Sequence, residues 1–285
     1  MPKETDNGVS LEEWPADCPS AVRTFLKDNS MKIDLDKFYT PIKVAKKCIE
    51  EIDDISEYDV IIEPSAGNGS FSSQLNCIAF DIEPENEKII KQDFLLINKI
   101  NGEKKLFVGN PPFGSRSCLA KKFIEHSIKL GAETIAFILP NTFNKFLMQK
   151  VFPREWKLKK IVSLDCDYEA NGIKYFIPSS FFIWTLKECE DLRKKEPKKI
   201  NDFIFLPRGS VEADFALNGN SGKIKSLDKI TNSKSEHYIK SLIDKDELIK
   251  KLNTIKWKMY SSVNGKNAWI SQKDIEEQYG ELYNC

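Results

Sequence analysis

The segment IIEPSAGNGSF, residues 61–71, decides the fold, because it joins a short apolar run to an acid and a glycine-rich turn. The apolar run predicts a buried strand, and Gly67 and Gly69 allow the backbone to turn tightly and to approach a ligand closely. Ser72 stands where the dinucleotide fingerprint G-x-G-x-x-G needs its third glycine, and the lysine of a phosphate-binding loop is missing. Since Glu63 would repel a pyrophosphate, the segment favours a cationic ligand, such as one with an ammonium and a sulfonium group.

On both sides of this segment, apolar runs alternate with helical patterns. The predicted strands are Val60–Glu63, Ile78–Asp81, one that ends within Lys88–Phe94, Lys105–Gly109, Thr134–Leu139, and two further runs at Ile161–Asp165 and Ser180–Leu186. The predicted helices are one that follows Pro41, Ser70–Leu75, Cys118–Leu130 and Asp244–Leu252. This alternation predicts an α/β domain with a mostly parallel, doubly wound sheet, in which the last two runs form an antiparallel pair near the edge.

Composition divides the chain into three regions. Residues 1–35 are predicted to be a polar arm with at most a short helix at Ala21–Lys27. Residues 36–190 carry the α/β pattern. The charge run at residues 187–199 marks the boundary to residues 191–285, which we expect to be a lysine-rich extension with a possible role in substrate recognition.

Charge is distributed unevenly along the formally neutral chain. Residues 1–100 hold 11 Lys/Arg and 20 Asp/Glu, and residues 101–285 hold 32 and 23, which gives net charges of −9 and +9. A basic part of this kind favours a polyanionic partner. An ordinary solvated, lysine-rich surface would give the same counts.

Several classes of protein are excluded by composition. We expect no membrane span, because no run of about 18 apolar residues occurs, and no secretory signal, because the first residues are polar and acidic. The seven cysteines form no C-x-x-C pair, which predicts reduced thiols in an intracellular, cytoplasmic protein, or one of a host cell if it is viral. The two histidines argue against a zinc site and against Ser-His-Asp chemistry, so no metal is expected.

Two aspartates follow the glycine-rich segment at the ends of predicted strands. Asp81 ends the second strand, where a carboxylate can accept hydrogen bonds from both hydroxyls of a ribose. Asp93 ends the third, where it can accept from an adenine amino group while Phe94 covers the ring. Each aspartate alone is as well explained as a helix cap or turn residue, but their order and spacing favour the ligand site.

The most specific motif is Asn110-Pro111-Pro112-Phe113, after the fourth strand. The prolines donate no backbone hydrogen bond, so the Pro111 carbonyl can point into a pocket beside the Asn110 side-chain oxygen. Two acceptors on one amino group suit an amine whose lone pair is conjugated with a ring, because they draw the nitrogen towards a tetrahedral geometry. Phe113 adds an aromatic face for a base, worth about 1–3 kcal/mol.

Taken together, these motifs resemble those of the amino-methyltransferase family. Residues 36–41, DKFYTP, resemble the F-Y-T-P element of the gamma group of N6-adenine DNA methyltransferases, in which this element precedes the cofactor loop and lies over the methionine part of S-adenosylmethionine. Residues 138–141, ILPN, resemble a later motif at the end of the fifth strand. The resemblance covers roughly residues 36–187.

The resemblance implies a Rossmann-like, seven-stranded class I methyltransferase sheet, mostly parallel with an antiparallel edge strand, plus a small C-terminal extension. It implies S-adenosylmethionine as cofactor, held by Tyr39, Thr40, Pro41, Glu63, Pro64, Ser65, Ala66, Gly67, Gly69, Phe71, Asp81, Ile82, Asp93, Phe94 and Asn110. It implies catalysis by Asn110, Pro111, Pro112 and Phe113, with a flipped adenine held between Phe113 and a second aromatic residue, Phe176 or, as substitute, Tyr175.

The implied activity is transfer of a methyl group to the N6 amino group of adenine, with DNA expected rather than RNA. The same chemistry on RNA, at adenine N6 or guanine N2, stays open, as does a non-catalytic nucleic-acid-binding subunit. Methylation of a protein glutamine is disfavoured by Phe113, since such enzymes usually have tyrosine there. Restriction-modification members of the family usually carry a larger target-recognition domain than the residues after 190 provide, and the oligomeric state is not predicted.

Overall fold

The computed structural model describes residues 38–164, 167–170, 173–230, 233–257, 260–261 and 268–283. The predicted arm at residues 1–35, with its helix at Ala21–Lys27, lies outside these residues. No helix among the described residues is long and apolar enough to cross a membrane.

A seven-stranded sheet forms the centre of the first half of the chain. Its strands are β1 (Val60–Glu63), β2 (Ile78–Asp81), β3 (Ile90–Lys91), β4 (Lys105–Gly109), β5 (Thr134–Pro140), β6 (Lys157–Leu164) and β9 (Ser179–Thr185). The order across the sheet is β3-β2-β1-β4-β5-β9-β6, and β9 runs antiparallel to both of its neighbours. The predicted fold class is confirmed, and the reversed strand lies one position inside the edge, where every residue of β9 is buried.

Helices pack on this sheet through narrow apolar faces. The helix α1 (Ile42–Glu50) buries Ala45 and Cys48, and α2 (Cys118–Lys129) buries the face that contains Phe123 and Ile124. A short helix, α3 (Phe146–Gln149), follows β5. Since every residue of β4 and β5 is buried, these two strands form the middle of the core, as expected for parallel strands covered on both faces.

Two local predictions are corrected. The predicted helix Ser70–Leu75 is wrong, because this segment is a succession of turns. The Ser70 hydroxyl donates to the Thr40 carbonyl at 2.6 Å, and this tertiary bond ties the turn to residues 38–41, where tertiary context overrides the local helical pattern. The third predicted strand is reduced to β3, because Asp93 accepts from Leu95 N at 2.9 Å and begins a 3-10 turn.

The C-terminal part builds a sheet of its own. Its strands are β10 (Phe203–Leu206), β11 (Phe215–Asn218), β12 (Ile224–Lys225) and β13 (Glu236–Ser241), in the antiparallel order β10-β13-β11-β12. The helices α4 (Lys245–Thr254) and α5 (Gln272–Tyr283) share an apolar cluster with this sheet, separate from the larger core. The predicted helix Asp244–Leu252 is confirmed as α4, for which Asp244 is the N-cap. The hairpins β7–β8 (Asp167–Ala170, Ile173–Phe176) and β14–β15 (Tyr260–Ser261, Ala268–Trp269) complete the elements.

The charge run at residues 187–199 forms no helix or strand, but it is bonded both to the part of the chain that holds the seven-stranded sheet and to the C-terminal part. The Arg193 guanidinium donates to the carbonyl oxygens of Phe152, Pro153 and Trp156 at 2.7–3.1 Å. The next residue, Lys194, pairs with two glutamates of α5, at 2.7 and 3.1 Å. The segment therefore fastens the C-terminal helix to the larger sheet, and the division at residue 190 stays a prediction.

Candidate active site at the carboxyl edge of the sheet

The glycine-rich turn after β1 lies directly beneath Tyr39. Gly67 has a φ of +54°, and a Cβ atom there would lie 3.0 Å from Cε1 of Tyr39. Only glycine fits both the backbone conformation and the space. The Tyr39 hydroxyl donates to Glu85 in the loop after β2. Two of the residues predicted to hold the cofactor, Tyr39 and Gly67, therefore lie together, and the tyrosine ring covers the turn.

Asp81 joins the loops that follow β1 and β2. Its Oδ2 accepts from Gly67 N at 2.7 Å and its Oδ1 from Glu83 N at 2.8 Å. Because each carboxylate oxygen has a second lone pair, Asp81 can still accept hydrogen bonds from a ligand. The next residue, Ile82, is 42% exposed and offers an apolar surface beside the carboxylate.

Glu63 is a buried carboxyl group at the end of β1. Its Oε2 accepts from Ser72 N at 2.8 Å. Burial, with a smaller contribution from the charge of Asp81, raises the pKa of Glu63 to about 8 against the hydrogen bonds from Ser72. A positively charged ligand at this point would reverse the effect and favour the carboxylate. The environment of Glu63 thus fits a cationic ligand, in line with the sequence.

Asn110 has one half of its side-chain amide anchored and the other half unused. Its Nδ2 donates to the Phe38 carbonyl and to Thr40 Oγ1, both at 3.1 Å. Since a carbonyl oxygen only accepts, the Phe38 contact settles which end of the amide is nitrogen. The other end, Oδ1, is buried and has no hydrogen-bond partner among the described residues. The F-Y-T-P tract therefore holds Asn110 with a free acceptor.

The rest of the N-P-P-F loop is fixed from both sides. Ser65 Oγ donates to the Asn110 carbonyl at 3.2 Å, Pro111 is buried and Pro112 is half-buried. Phe113 is only 3% exposed and belongs to the larger core. Its ring therefore offers no open face in this conformation, and a base could stack on it only after the side chains that cover it move.

The structure corrects part of the predicted adenine site. Phe94 is 1% exposed and its ring stacks on Phe123, with centroids 5.3 Å apart. A ring packed in the core cannot also cover an adenine, so the expectation for the Phe94 side chain is wrong. Asp93 does cap a turn, through Leu95 N, which leaves its role toward a ligand a prediction.

The remaining predicted residues differ in how they can act. Ala66 and Phe71 are buried, at 5% and 1% exposed, so they can shape the turn only through packing and through their backbone atoms. For example, Ala66 N donates a hydrogen bond to Phe80 O at 2.9 Å. Pro64, Gly69 and Thr40 are also buried, while Pro41 is exposed at the start of α1. Phe176 ends β8 opposite Asp167, but its side chain, like that of Tyr175, lies outside what the structure describes.

Two functional candidates were missed in the sequence. Ser70 ties the turn to the F-Y-T-P tract through the Thr40 carbonyl. Thr142 follows β5, and its Oγ1 is buried without a hydrogen-bond partner among the described residues. Thr142 could have been found in the sequence from its position directly after the I-L-P-N motif. The last residue of that motif, Asn141, accepts through Oδ1 from Ser180 Oγ at 2.8 Å.

The loops at this edge divide by charge. Those after β1 to β3 contain mainly acids, namely Glu63, Asp81, Glu83, Glu85, Glu87 and Asp93. No Asp or Glu occurs in residues 110–124 or 141–154, which follow β4 and β5 and hold Arg116, Lys121, Lys122, Lys145, Lys150 and Arg154. A polyanion is therefore favoured on the β4–β5 side and opposed on the β1–β3 side.

The C-terminal part reaches the same edge. Lys145 Nζ contacts Asp274 Oδ2 of α5 at 2.7 Å, with the two side chains 16% and 4% exposed. The strand β14 lies against Asn141–Asn144. The extension is thus anchored beside the β5 loop. Among the described residues, no group of His, Cys, Asp or Glu side chains could hold a metal ion.

No protein-family model and no curated protein matches the chain. A Pyrococcus horikoshii protein named as a candidate RNA methyltransferase is similar over 55% of this chain and 90% of its own, with 14% identity and a TM-score of 0.43. The 23S rRNA methyltransferase ErmE is similar over 55% of this chain and 72% of its own, with 15% identity and a TM-score of 0.37. A Thermoplasma acidophilum protein is similar over 50% and 84%, with 18% identity and a TM-score of 0.36. These likenesses are too remote to indicate function, and it is the order of the sheet, with one reversed strand beside its edge, that gives this chain the fold of the class I methyltransferases.

Proposed function

We propose that this protein transfers a methyl group from S-adenosylmethionine to the exocyclic N6 amino group of adenine in DNA. The observation that carries the proposal is the buried, unpartnered Oδ1 of Asn110, fixed in place by the bonds from its Nδ2 to Phe38 and Thr40. An unused buried acceptor costs free energy, so a site that keeps one is suited to a ligand that donates.

The residues after β1 and β2 fit the cofactor. Glu63 is proposed to face the ammonium group of the methionine part, which would restore the charge of its carboxylate, and Asp81 has lone pairs left for two ribose hydroxyls. Ile82 offers apolar surface for an adenine ring. When bound, S-adenosylmethionine supplies a sulfonium methyl group that needs no further activation.

The residues after β4 would then orient and polarise the amine. Asn110 Oδ1 accepts one N–H of the amino group, and the Pro111 carbonyl is proposed to accept the other. Both bonds strengthen as positive charge develops on the nitrogen, so they lower the barrier more than they improve ground-state binding. The nitrogen would gain the methyl group as the S–CH3 bond of the sulfonium breaks, which would leave a neutral thioether. The nitrogen would then lose one proton to water, so this route calls on no metal or strong base.

Nucleic acid is the substrate class that the charge division favours, because residues 110–124 and 141–154 carry basic side chains without acids. A target base has to leave its stack to reach Asn110, at a cost of a few kcal/mol in a duplex. The buried position of Phe113 adds a second requirement, since the base must displace the side chains that cover the ring.

The test is tritium transfer from labelled S-adenosylmethionine to duplex DNA, single-stranded DNA, RNA and a protein extract, with Asn110→Ala as the matched control. Digestion of the labelled polymer should yield N6-methyladenine as the labelled nucleobase. Label in RNA would change the substrate, label at guanine N2 would change the target, and nucleic-acid binding without any transfer would favour a non-catalytic subunit.

A further inference from the structure

Directly after Phe113 the chain makes a short excursion that returns to its starting point. Leu119 N and Ala120 N both donate to the Phe113 carbonyl, at 3.2 and 3.3 Å, while Ser117 N donates to the Gly114 carbonyl at 3.2 Å. Residues 114–118 therefore form a small closed loop whose base is fixed to the last residue of the N-P-P-F motif. We refer to it as the 114–118 loop.

The backbone of this loop is held in a conformation that its sequence does not favour. Gly114 has a φ of +67°, and a Cβ there would lie 2.8 Å from Leu119 Cγ. Arg116 and Ser117, which are not glycines, have φ of 52° and 61°. Each such residue costs on the order of 1 kcal/mol, so the surrounding structure imposes the conformation and with it the direction of the Cα–Cβ bond of Arg116.

Arg116 is exposed at the outer end of the loop, while Ser117 beside it is buried. Within the described part of the chain, no carboxylate forms an ion pair with Arg116, and no Asp or Glu occurs in residues 104–124. A strained backbone thus presents a guanidinium group to solvent, three residues from the motif proposed to hold the target base. Strain of this kind is kept where a side chain has to be placed for a ligand.

We propose that Arg116 binds a backbone phosphate of the substrate strand next to the target nucleotide. The inference rests on the proposed function, because it places the strand beside the N-P-P-F motif. A guanidinium group binds phosphate oxygens through two parallel N–H donors. The fixed base of the 114–118 loop ties the position of that phosphate to the position of Asn110. Arg116 is therefore a positioning residue, whose binding energy holds the nucleotide in register with the amine acceptor.

The test compares variants of the full chain in binding a fluorescein-labelled single-stranded DNA and its duplex, by anisotropy across a series of salt concentrations. Arg116→Asn removes the charge but accepts the left-handed backbone. It should weaken binding about tenfold at low salt and reduce the slope of log Kd against log salt by about 1. Its melting temperature should equal or exceed that of the wild type, because the strain is relieved. Arg116→Lys should restore the slope but only part of the methyl-transfer rate.

Lys47→Gln is the control, since Lys47 is an exposed cation on α1 and lies outside the basic ranges that follow β4 and β5. It should leave the slope and the methyl-transfer rate unchanged. An Arg116→Asn variant with the wild-type slope would overturn the phosphate contact. Methyl transfer by the wild type is measured in the same preparations. A wild type that transfers no label would contradict the proposed function, whereas an active wild type together with an unchanged Arg116→Asn slope would contradict the phosphate contact alone.

Discussion

Asn110 is tied to Phe38, 72 residues earlier in the chain, by a hydrogen bond of 3.1 Å from its Nδ2 to the Phe38 carbonyl. The bond joins the loop after β4 to the tract that precedes α1. It leaves Asn110 Oδ1 as the acceptor, so the acceptor can be tested separately from its tether.

Removing the acceptor should abolish most of the turnover. Asn110→Ala should leave S-adenosylmethionine affinity nearly unchanged and lower kcat by about 10²–10³-fold, by analogy with the loss of an oxyanion-hole donor. Calorimetry and single-turnover transfer measure the two quantities. Asn110→Asp keeps an acceptor but loses the Nδ2 donor, so it should retain more activity than alanine. Wild-type turnover in Asn110→Ala would contradict the mechanism.

Removing the hydrogen bond between Asn110 Nδ2 and Thr40 Oγ1 should also lower kcat, but by less than removing the Asn110 acceptor. Thr40→Val removes the Oγ1 that accepts from Asn110 at 3.1 Å but preserves the volume of a buried side chain. We expect kcat to fall about tenfold, the equivalent of one lost hydrogen bond, with cofactor affinity little changed. Thr40→Ser restores the hydroxyl and should restore the rate. A serine variant as slow as the valine variant would show that packing, and not the bond, matters.

Loss of the Asp81 carboxylate should weaken cofactor binding. Asp81→Ala removes the proposed ribose acceptor and also two backbone bonds, to Gly67 and Glu83. We expect affinity for S-adenosylmethionine to fall about tenfold or more and the apo melting temperature to fall as well. The control Glu87→Ala removes the same charge from an exposed position of the same loop. Unchanged affinity in calorimetry for Asp81→Ala would refute the assignment.

Cofactor binding should depend on pH through Glu63. The folded-state pKa of Glu63 is raised to about 8, so the carboxyl is neutral in the free protein at pH 7 and loses its proton when a cation binds. Affinity should therefore rise as the pH increases from 6 to 9, with proton release visible in buffers of different ionisation enthalpy. The ligand's own ammonium titrates in both proteins, so the difference between wild type and Glu63→Gln isolates the glutamate. Identical pH profiles would remove Glu63 from the site.

The same pKa predicts how the stability of the free protein changes with pH. A carboxyl whose folded pKa is raised favours the folded state below its unfolded pKa and loses that contribution as the pH rises through the folded value. Because of this group, the free energy of unfolding should decline between about pH 4.5 and 8. The free energy of unfolding of the Glu63→Gln variant should decline less over the same range. Urea unfolding at a series of pH values measures the difference.

The contact between Lys145 and Asp274 should hold the C-terminal part at the catalytic edge. Asp274→Ala removes the carboxylate that contacts Lys145 Nζ at 2.7 Å and accepts from Ser271 N and Ser271 Oγ at 2.7 and 2.8 Å. It should lower the free energy of unfolding by about 3 kcal/mol. The exposed pair Lys273–Glu276 provides the control, since Glu276→Ala should cost at most about 1 kcal/mol. Equal effects of the two substitutions on urea unfolding would show that burial does not strengthen the Lys145 contact.

The sequence predicts some features of this fold and misses others for physical reasons. Val60–Glu63 and Lys105–Gly109 were predicted with their observed bounds, because buried parallel strands are continuous apolar runs between polar turns. The direction of the Phe94 ring was not predictable, since the strand ends at Lys91 and Phe94 lies in a 3-10 turn that Asp93 begins. The C-terminal sheet was missed because its short strands, such as Phe203–Leu206, gain their stability from distant pairing.

The candidate site was predictable where it is local in sequence. The glycine turn, Asp81 and the N-P-P-F motif are short patterns with a chemical meaning. The tether of Asn110 and the raised pKa of Glu63 depend on what the chain brings near them from elsewhere, through Phe38, Thr40 and Ser72. No local pattern contains that information.

The reversed strand β9 has a consequence for the nascent chain on the ribosome. The strand β6 leaves the ribosome before β9, yet β9 is its only neighbour in the sheet. Until Ser179–Thr185 has emerged, β6 has no strand to pair with, and the edge of β5 that faces away from β4 is unpaired. An unpaired strand edge can pair with other chains. A chain that ends before residue 179 should therefore aggregate, and the nascent chain should need a chaperone until β9 pairs with β5.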